Sequence, residues 1–153
     1  MLKSPEYSPI KGKVIVAICG ACGSGKSTLG GRIRKQGFGC FAPYQIAMID
    51  DSVMSLNLFL IRPKIKFPTN KTDNLKPFLR FLPPYVKIVF YISANLQRLE
   101  FADILVRVSC DEQTRIKRIK QRERGNPQKI QSLIDCTIND KIPYHYKLEL
   151  DLT

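Results

Sequence analysis

Gly20-Ala21-Cys22-Gly23-Ser24-Gly25-Lys26-Ser27-Thr28 decides how this 153-residue chain is read. The stretch fits G-x-x-x-x-G-K-[ST], the phosphate-binding loop, and its setting carries more weight than the pattern. Val14-Ile15-Val16-Ala17-Ile18-Cys19 is an unbroken apolar, largely β-branched run, as expected of a strand buried on both faces. Lys26 to Gln36 can continue as a helix, so the motif falls on a strand-to-helix turn. The glycines let successive backbone amides converge on phosphate oxygens, and the helix N-terminus adds partial positive charge. In such a loop Gly20, Ala21, Cys22, Gly23, Ser24, Gly25, Lys26, Ser27 and Thr28 wrap a triphosphate. Lys26 reaches its β/γ oxygens, and Ser27 is the metal ligand for Mg²⁺. A nucleoside triphosphate and Mg²⁺ are therefore expected at the loop.

Composition sets the frame around the loop. Lys and Arg outnumber Asp and Glu 25 to 13, giving a formal net charge of +12 that suits polyanionic partners, nucleic acid included. Hydrophobic residues make up 44%, an ordinary share for a folded domain, and the length suits one domain over 1–153. No apolar run approaches the roughly 18 residues of a membrane span, and Met1 to Ile10 does not read as a signal peptide. A cytoplasmic chain without a membrane partner is expected. The five cysteines, an odd number mostly inside apolar stretches, agree with a reducing compartment. Cys19 and Cys22 form a C-x-x-C, but both belong to the phosphate turn and no second pair or histidine cluster completes a metal site.

Outside the loop, residues 1–12 read as a lead-in tail. Gly30-Gly31 weakens the helix after the loop unless close packing on a sheet requires small residues there. Gln45 to Ile49 predicts a second strand ending in Asp50-Asp51-Ser52. Two carboxylates at the carboxyl end of a parallel strand are placed for chemistry on a triphosphate. One of them, or Ser52, serves equally well as cap to a helix beginning near Val53. Arg62 to Lys87 carries five prolines, and its seven basic residues oppose Asp73 alone; it is either a basic binding insertion or a solvated connection. A short helix over 73–81 fits there, with Pro77 limiting its length.

Val86 to Ile92 and Ile104 to Ser109 predict two more strands, and the alternation of Tyr146 to Leu152 predicts an edge strand. Asp111 caps a helix running to about Arg124, with Arg115, Arg118 and Arg122 on one face. A further helix fits Gln128 to about Ile138. Alternating βα units with five strands predict an α/β, three-layer sandwich around a five-stranded parallel sheet, the P-loop NTPase fold.

The order of these pieces resembles the P-loop kinases of small metabolites and nucleotides, most closely the uridine kinase and dephospho-coenzyme A kinase group. Residues 20–28 carry the specific part of the resemblance. Ile49-Asp50-Asp51-Ser52 looks like the acidic strand end where these kinases keep the carboxylate that orients the acceptor hydroxyl. Ala102 to Gly125 is similar to their fourth strand and arginine-rich lid, placed here at about 112–127. Ile88 to Leu96 is similar to their third strand but lacks the acid usual at its end.

The resemblance implies an ATP-dependent transfer of the γ-phosphate to a hydroxyl or phosphate of a small-molecule acceptor, a nucleoside or nucleotide foremost. Catalytic roles fall to Lys26, to Asp51 or failing it Asp50, and to Arg118, Arg122 and Arg124 of the lid. A polynucleotide 5′-hydroxyl kinase and a non-catalytic nucleotide switch are the alternatives. The net charge speaks for the former, the missing acid for the latter. No N-K-x-D motif supports a GTPase.

Overall fold

In the computed structural model, which describes residues 12–51, 53–57, 61–66 and 75–153, the apolar run before the loop is β1 (Val14–Gly20), near the middle of a seven-stranded sheet. Its side chains alternate between two cores. Ile15, Ala17 and Cys19 join one cluster; Val16 and Ile18 join the other. Burial on both faces explains why the run is continuous rather than alternating.

Helix α1 (Lys26–Gln36) follows the loop and lays Leu29 and Ile33 on the Val16/Ile18 face. Gly30 is needed there, because a Cβ would collide with Ile92 Cδ1 and stand 2.7 Å from Met48 Sδ. Gly31 faces open space and has no such reason. Strands β2 (Ile46–Asp50), β5 (Ile88–Ser93), β6 (Ala102–Ser109) and β7 (Tyr144–Asp151) complete the parallel part. The spatial order across this part is β2-β5-β1-β6-β7. These five are the expected strands. The opposite face is covered by the short helix α2 (Lys76–Arg80), which buries Leu79, and by Leu75, Leu82, Leu96 and Leu99 from the flanking connections. Helix, sheet and helix make an α/β, P-loop fold.

Two strands were not expected. Val53 begins not a helix but β3 (Val53–Leu56), antiparallel to β2, and β3 is followed by β4 (Lys64–Lys66), antiparallel to β3. The edge of β2 offers hydrogen-bonding groups, and Met54 and Leu56 alternate into the core, so strand pairing wins over the helix start. Ser55 on the other side takes a hydrogen bond from Arg34 Nη1 at 3.1 Å. The sheet thus has seven strands rather than five. Ser52 as a cap, the tail before Gly12, and residues 73–74 of the expected short helix lie outside the described residues.

Helix α3 (Glu112–Arg122) starts at Asp111, whose side chain accepts from Thr114 N at 2.9 Å; the Thr114 hydroxyl first, and then this amide, hold the carboxyl below the usual carboxylate range. It ends two residues before Arg124. Helix α4 (Pro127–Ile134) begins with Asn126 as cap and Pro127 in its first turn, and ends earlier than Ile138. Among the described residues no helix is long and apolar enough to cross a membrane.

Candidate functional site

The loop is built by close packing. A side chain at Gly20 would meet the backbone oxygen of Val108 on β6 and stand 2.9 Å from Ser24 Oγ. Gly23 and Gly25 have φ of +83° and +97°, where a Cβ is strained. Gly23 also lies against Ile119 of α3. Ser24 N donates to Ala21 O at 3.2 Å to close the turn, and Leu29 N to Gly25 O at 3.0 Å starts the helix.

No side chain caps α1 at its N-terminus and its first turn holds no acid, so its leading amides are open to an anion. Lys26 is buried, with Nζ donating across the loop to Ala21 O at 2.8 Å.

The acidic pair is placed by the β2–β3 turn. Asp50 pairs with Val53, so the chain reverses in a tight turn just after Asp51. Asp51 has φ +50°, the only positive φ on a non-glycine among the described residues, and its amide donates to Ile92 O at 2.9 Å. Asp50 accepts a hydrogen bond from the Ser27 hydroxyl. Burial pushes its carboxyl above the usual range, and the neighbouring Asp51 charge adds to this. The Ser27 bond and the charges of Lys26 and Arg122 act the other way.

The arginines of helix α3 and of the turn after it divide among three places. Arg118 donates through Nη2 to Leu152 O at 2.9 Å, while Nη1 is buried with no partner among the described residues and comes within 3.6 Å of where a Gly25 Cβ would stand. Arg122 also faces the loop, with Nε on Glu123 Oε1 at 3.0 Å. Arg124 does not join them. It lies past the helix end, on the side of Gln113, Lys117 and Gln121. Arg115 is buried as a structural clamp. Its guanidinium pairs with Glu112 at 2.7 Å and donates to Cys22 O at 3.1 Å, Leu133 O at 3.4 Å and Ile134 O at 3.0 Å.

A cavity of about 380 Å³ collects these groups. It is lined by Cys22, Gly23, Gly25, Lys26, Ser27 and Thr28 of the loop and helix start, by Asp50 and Asp51, and by Arg118, Arg122 and Leu133. An anion-seeking loop beside paired carboxylates and guanidinium groups fits a triphosphate and its metal. A hydroxyl and a carboxylate in contact, Ser27 and Asp50, are a hard-oxygen pair suited to Mg²⁺, which takes one or two protein ligands and leaves the rest to phosphates and water. The buried, unpartnered Arg118 Nη1 fits an anionic oxygen.

Three participants were not foreseen. Leu133 of α4 borders the cavity, Arg115 ties the loop to the end of α4, and Cys136 meets Cys22. The end of β5 carries no acid, but Asn95 bridges to Asn139 and brings Asp140 near Cys19. Burial, with Asp140 adding to it, pushes that thiol up to about 11.

Compared with known families, residues 16–140 match the family model described as an AAA domain. No curated protein matches the chain.

Proposed function

The chain belongs to the AAA-domain family, within the P-loop kinase-like superfamily, and from that premise we propose that it is an ATP-dependent phosphotransferase acting on a small metabolite, a nucleoside or nucleotide foremost. The observation that carries the proposal is one cavity lined together by the phosphate loop, the Asp50–Asp51 pair and two arginines of α3. The exposed Asp51 beside the loop supports transfer to an acceptor hydroxyl, because a carboxylate there can orient that hydroxyl.

Each residue has a task in such a transfer. The loop amides and Lys26 hold the β- and γ-phosphates. Ser27 and Asp50 would hold Mg²⁺, which would supply charge neutralisation at the phosphates. Asp51, at the turn, accepts the hydrogen bond of the attacking hydroxyl and orients it. Arg118 and Arg122 neutralise charge gathering on the transferred group, and with Leu133 they keep water from it. Because the transition state of phosphoryl transfer is loose, positioning and charge neutralisation supply most of the acceleration. Arg124, off the cavity, is assigned no role in this arrangement.

A screen with labelled ATP against nucleosides, nucleoside monophosphates, dephospho-coenzyme A and 5′-hydroxyl oligonucleotides tests the proposal. Label should move to one small-molecule class, with ADP formed only when that acceptor is present. Transfer to oligonucleotides alone would favour a polynucleotide kinase, a reading that the exposed lysines of β4 and the +12 charge support. ATP bound without transfer to any acceptor would leave a nucleotide-binding switch.

A further inference from the structure

Two cysteines 114 residues apart in sequence meet at the phosphate loop. Cys22 Sγ donates to Cys136 Sγ at 2.6 Å, about 0.5 Å beyond the roughly 2.05 Å of a covalent disulfide. Both are free thiols, half-buried and within reach of small solutes. The contact is held in place by Arg115. One guanidinium binds Cys22 O in the loop and Leu133 O and Ile134 O at the end of α4, two residues before Cys136. Arg115 is itself buried and locked by Glu112, so the two segments it joins are presented to each other as a pair. The other three cysteines stand otherwise: Cys19 is buried on Ala94 O, while Cys40 and Cys110 have no described sulfur partner.

We propose that Cys22 and Cys136 form a thiol–disulfide site that takes small-molecule disulfides as oxidant and disables the phosphate loop when closed. Burial and the neighbouring Cys136 push the Cys22 thiol up to about 11. The Cys136 thiolate attacks a disulfide RSSR, giving Cys136–S–SR and releasing RS⁻, which leaves as RSH on protonation. Cys22, losing its proton to solvent, then attacks the Cys136 sulfur. This forms Cys22–S–S–Cys136 and releases a second RSH. Two protein thiols are oxidised by two electrons and one RSSR is reduced to two RSH.

Closing the bond draws the Cys22 side chain toward Cys136, and with it the backbone next to Gly23, whose φ of +83° shapes the phosphate cradle. It also pins α4, and so Leu133, against the cavity mouth. Triphosphate binding is lost through both effects. The proposal needs only nucleotide binding at the loop, so it stands or falls separately from the transferase assignment.

The test equilibrates the full chain with oxidised and reduced glutathione at set ratios, traps free thiols by alkylation, and maps disulfides by mass. ATP binding is measured on the same samples. Oxidation should give a Cys22–Cys136 peptide and weaken ATP binding by roughly tenfold or more, with recovery on reduction. By reciprocity, saturating ATP should shift the thiol–disulfide equilibrium toward the thiols by the same factor. Cys136→Ser, away from the cavity lining, should bind ATP equally under both conditions; Cys136→Ala serves the same purpose should the first variant fold poorly. Absence of the Cys22–Cys136 peptide, or its presence with ATP affinity unchanged, would overturn the proposal.

Discussion

The phosphate loop and the β2–β3 turn line one cavity side by side and are held in different ways. The loop is fixed by packing: Gly20 lies against the backbone of β6, Gly23 against α3, and Lys26 is buried with Nζ on a loop carbonyl. The turn is fixed by register. Asp50 pairs with Val53, and the exposed Asp51 is held at a positive φ by a single backbone bond to Ile92. A surface made by packing tolerates little and recognises something constant, here the triphosphate. A surface made by a short exposed turn tolerates substitution, so its chemistry can be altered without loss of the fold.

The largest effect should come from the packed side. Gly20→Ala forces a methyl into the Val108 carbonyl, a backbone atom that cannot step aside. A loss of about 3 kcal/mol is expected, seen as a fall of roughly 6–12 °C in Tm together with loss of ATP binding. An unchanged melting curve would show that the loop is looser than its contacts imply. On the turn, Asp51→Asn keeps the shape, since Asn also accepts a positive φ, and removes the charge. Transfer should fall on the order of 10³-fold with ATP affinity and Tm preserved. Should Asp51→Asn retain activity while Asp50→Asn loses it, the acceptor-orienting role moves to Asp50.

Arg118→Gln is expected to sit in between. It removes the guanidinium that aims at the loop, and should lower the affinity for ATP more than for ADP, by about 10- to 100-fold. Equal weakening of both nucleotides would place Arg118 on the inner phosphates.

The smallest structural effect, and the one of opposite sign, belongs to Asp50. Its folded carboxyl titrates above its unfolded value, so the native state holds a proton over that interval that the unfolded state has released. Stability therefore declines as pH rises through the interval. Asp50→Asn should raise the Tm slightly at neutral pH and flatten the decline, while the Mg²⁺ concentration needed for half-maximal turnover rises by about 10- to 100-fold. A Tm lowered at neutral pH would refute the burial cost assigned to this carboxylate.

The parallel core could be read from the chain because burial on both faces writes long apolar runs, and Val14–Gly20 and Ile88–Ser93 are such runs. Helix α1 was legible from end to end because the loop motif fixes its start and Gly37 its stop. Strands β3 and β4 were not. Four and three residues are too few to show a period, and they exist because β2 offers an edge to pair with.

The arginine face of α3 followed from helical spacing, which holds for Arg118 and Arg122 and ceases to apply to Arg124 once the helix has ended. Spacing also could not tell Arg115 from Arg118. One is satisfied by four carbonyl and carboxylate partners and the other keeps a bare Nη1, a distinction that only α4 and the last strand create. The meeting of Cys22 with Cys136 has no sequence signature, because it depends on how α4 docks against the loop.

The positive φ of Asp51 has an evolutionary corollary. Of the residues that adopt this conformation readily, Asn and Gly each differ from Asp by a single nucleotide in the codon, and neither carries the charge. On the proposed assignment of Asp51 to the acceptor hydroxyl, descendants that still fold and still bind nucleotide yet transfer no phosphate are therefore one mutation away. Lineages in which it serves as a nucleotide sensor rather than an enzyme should be recognisable by what they carry at this one turn.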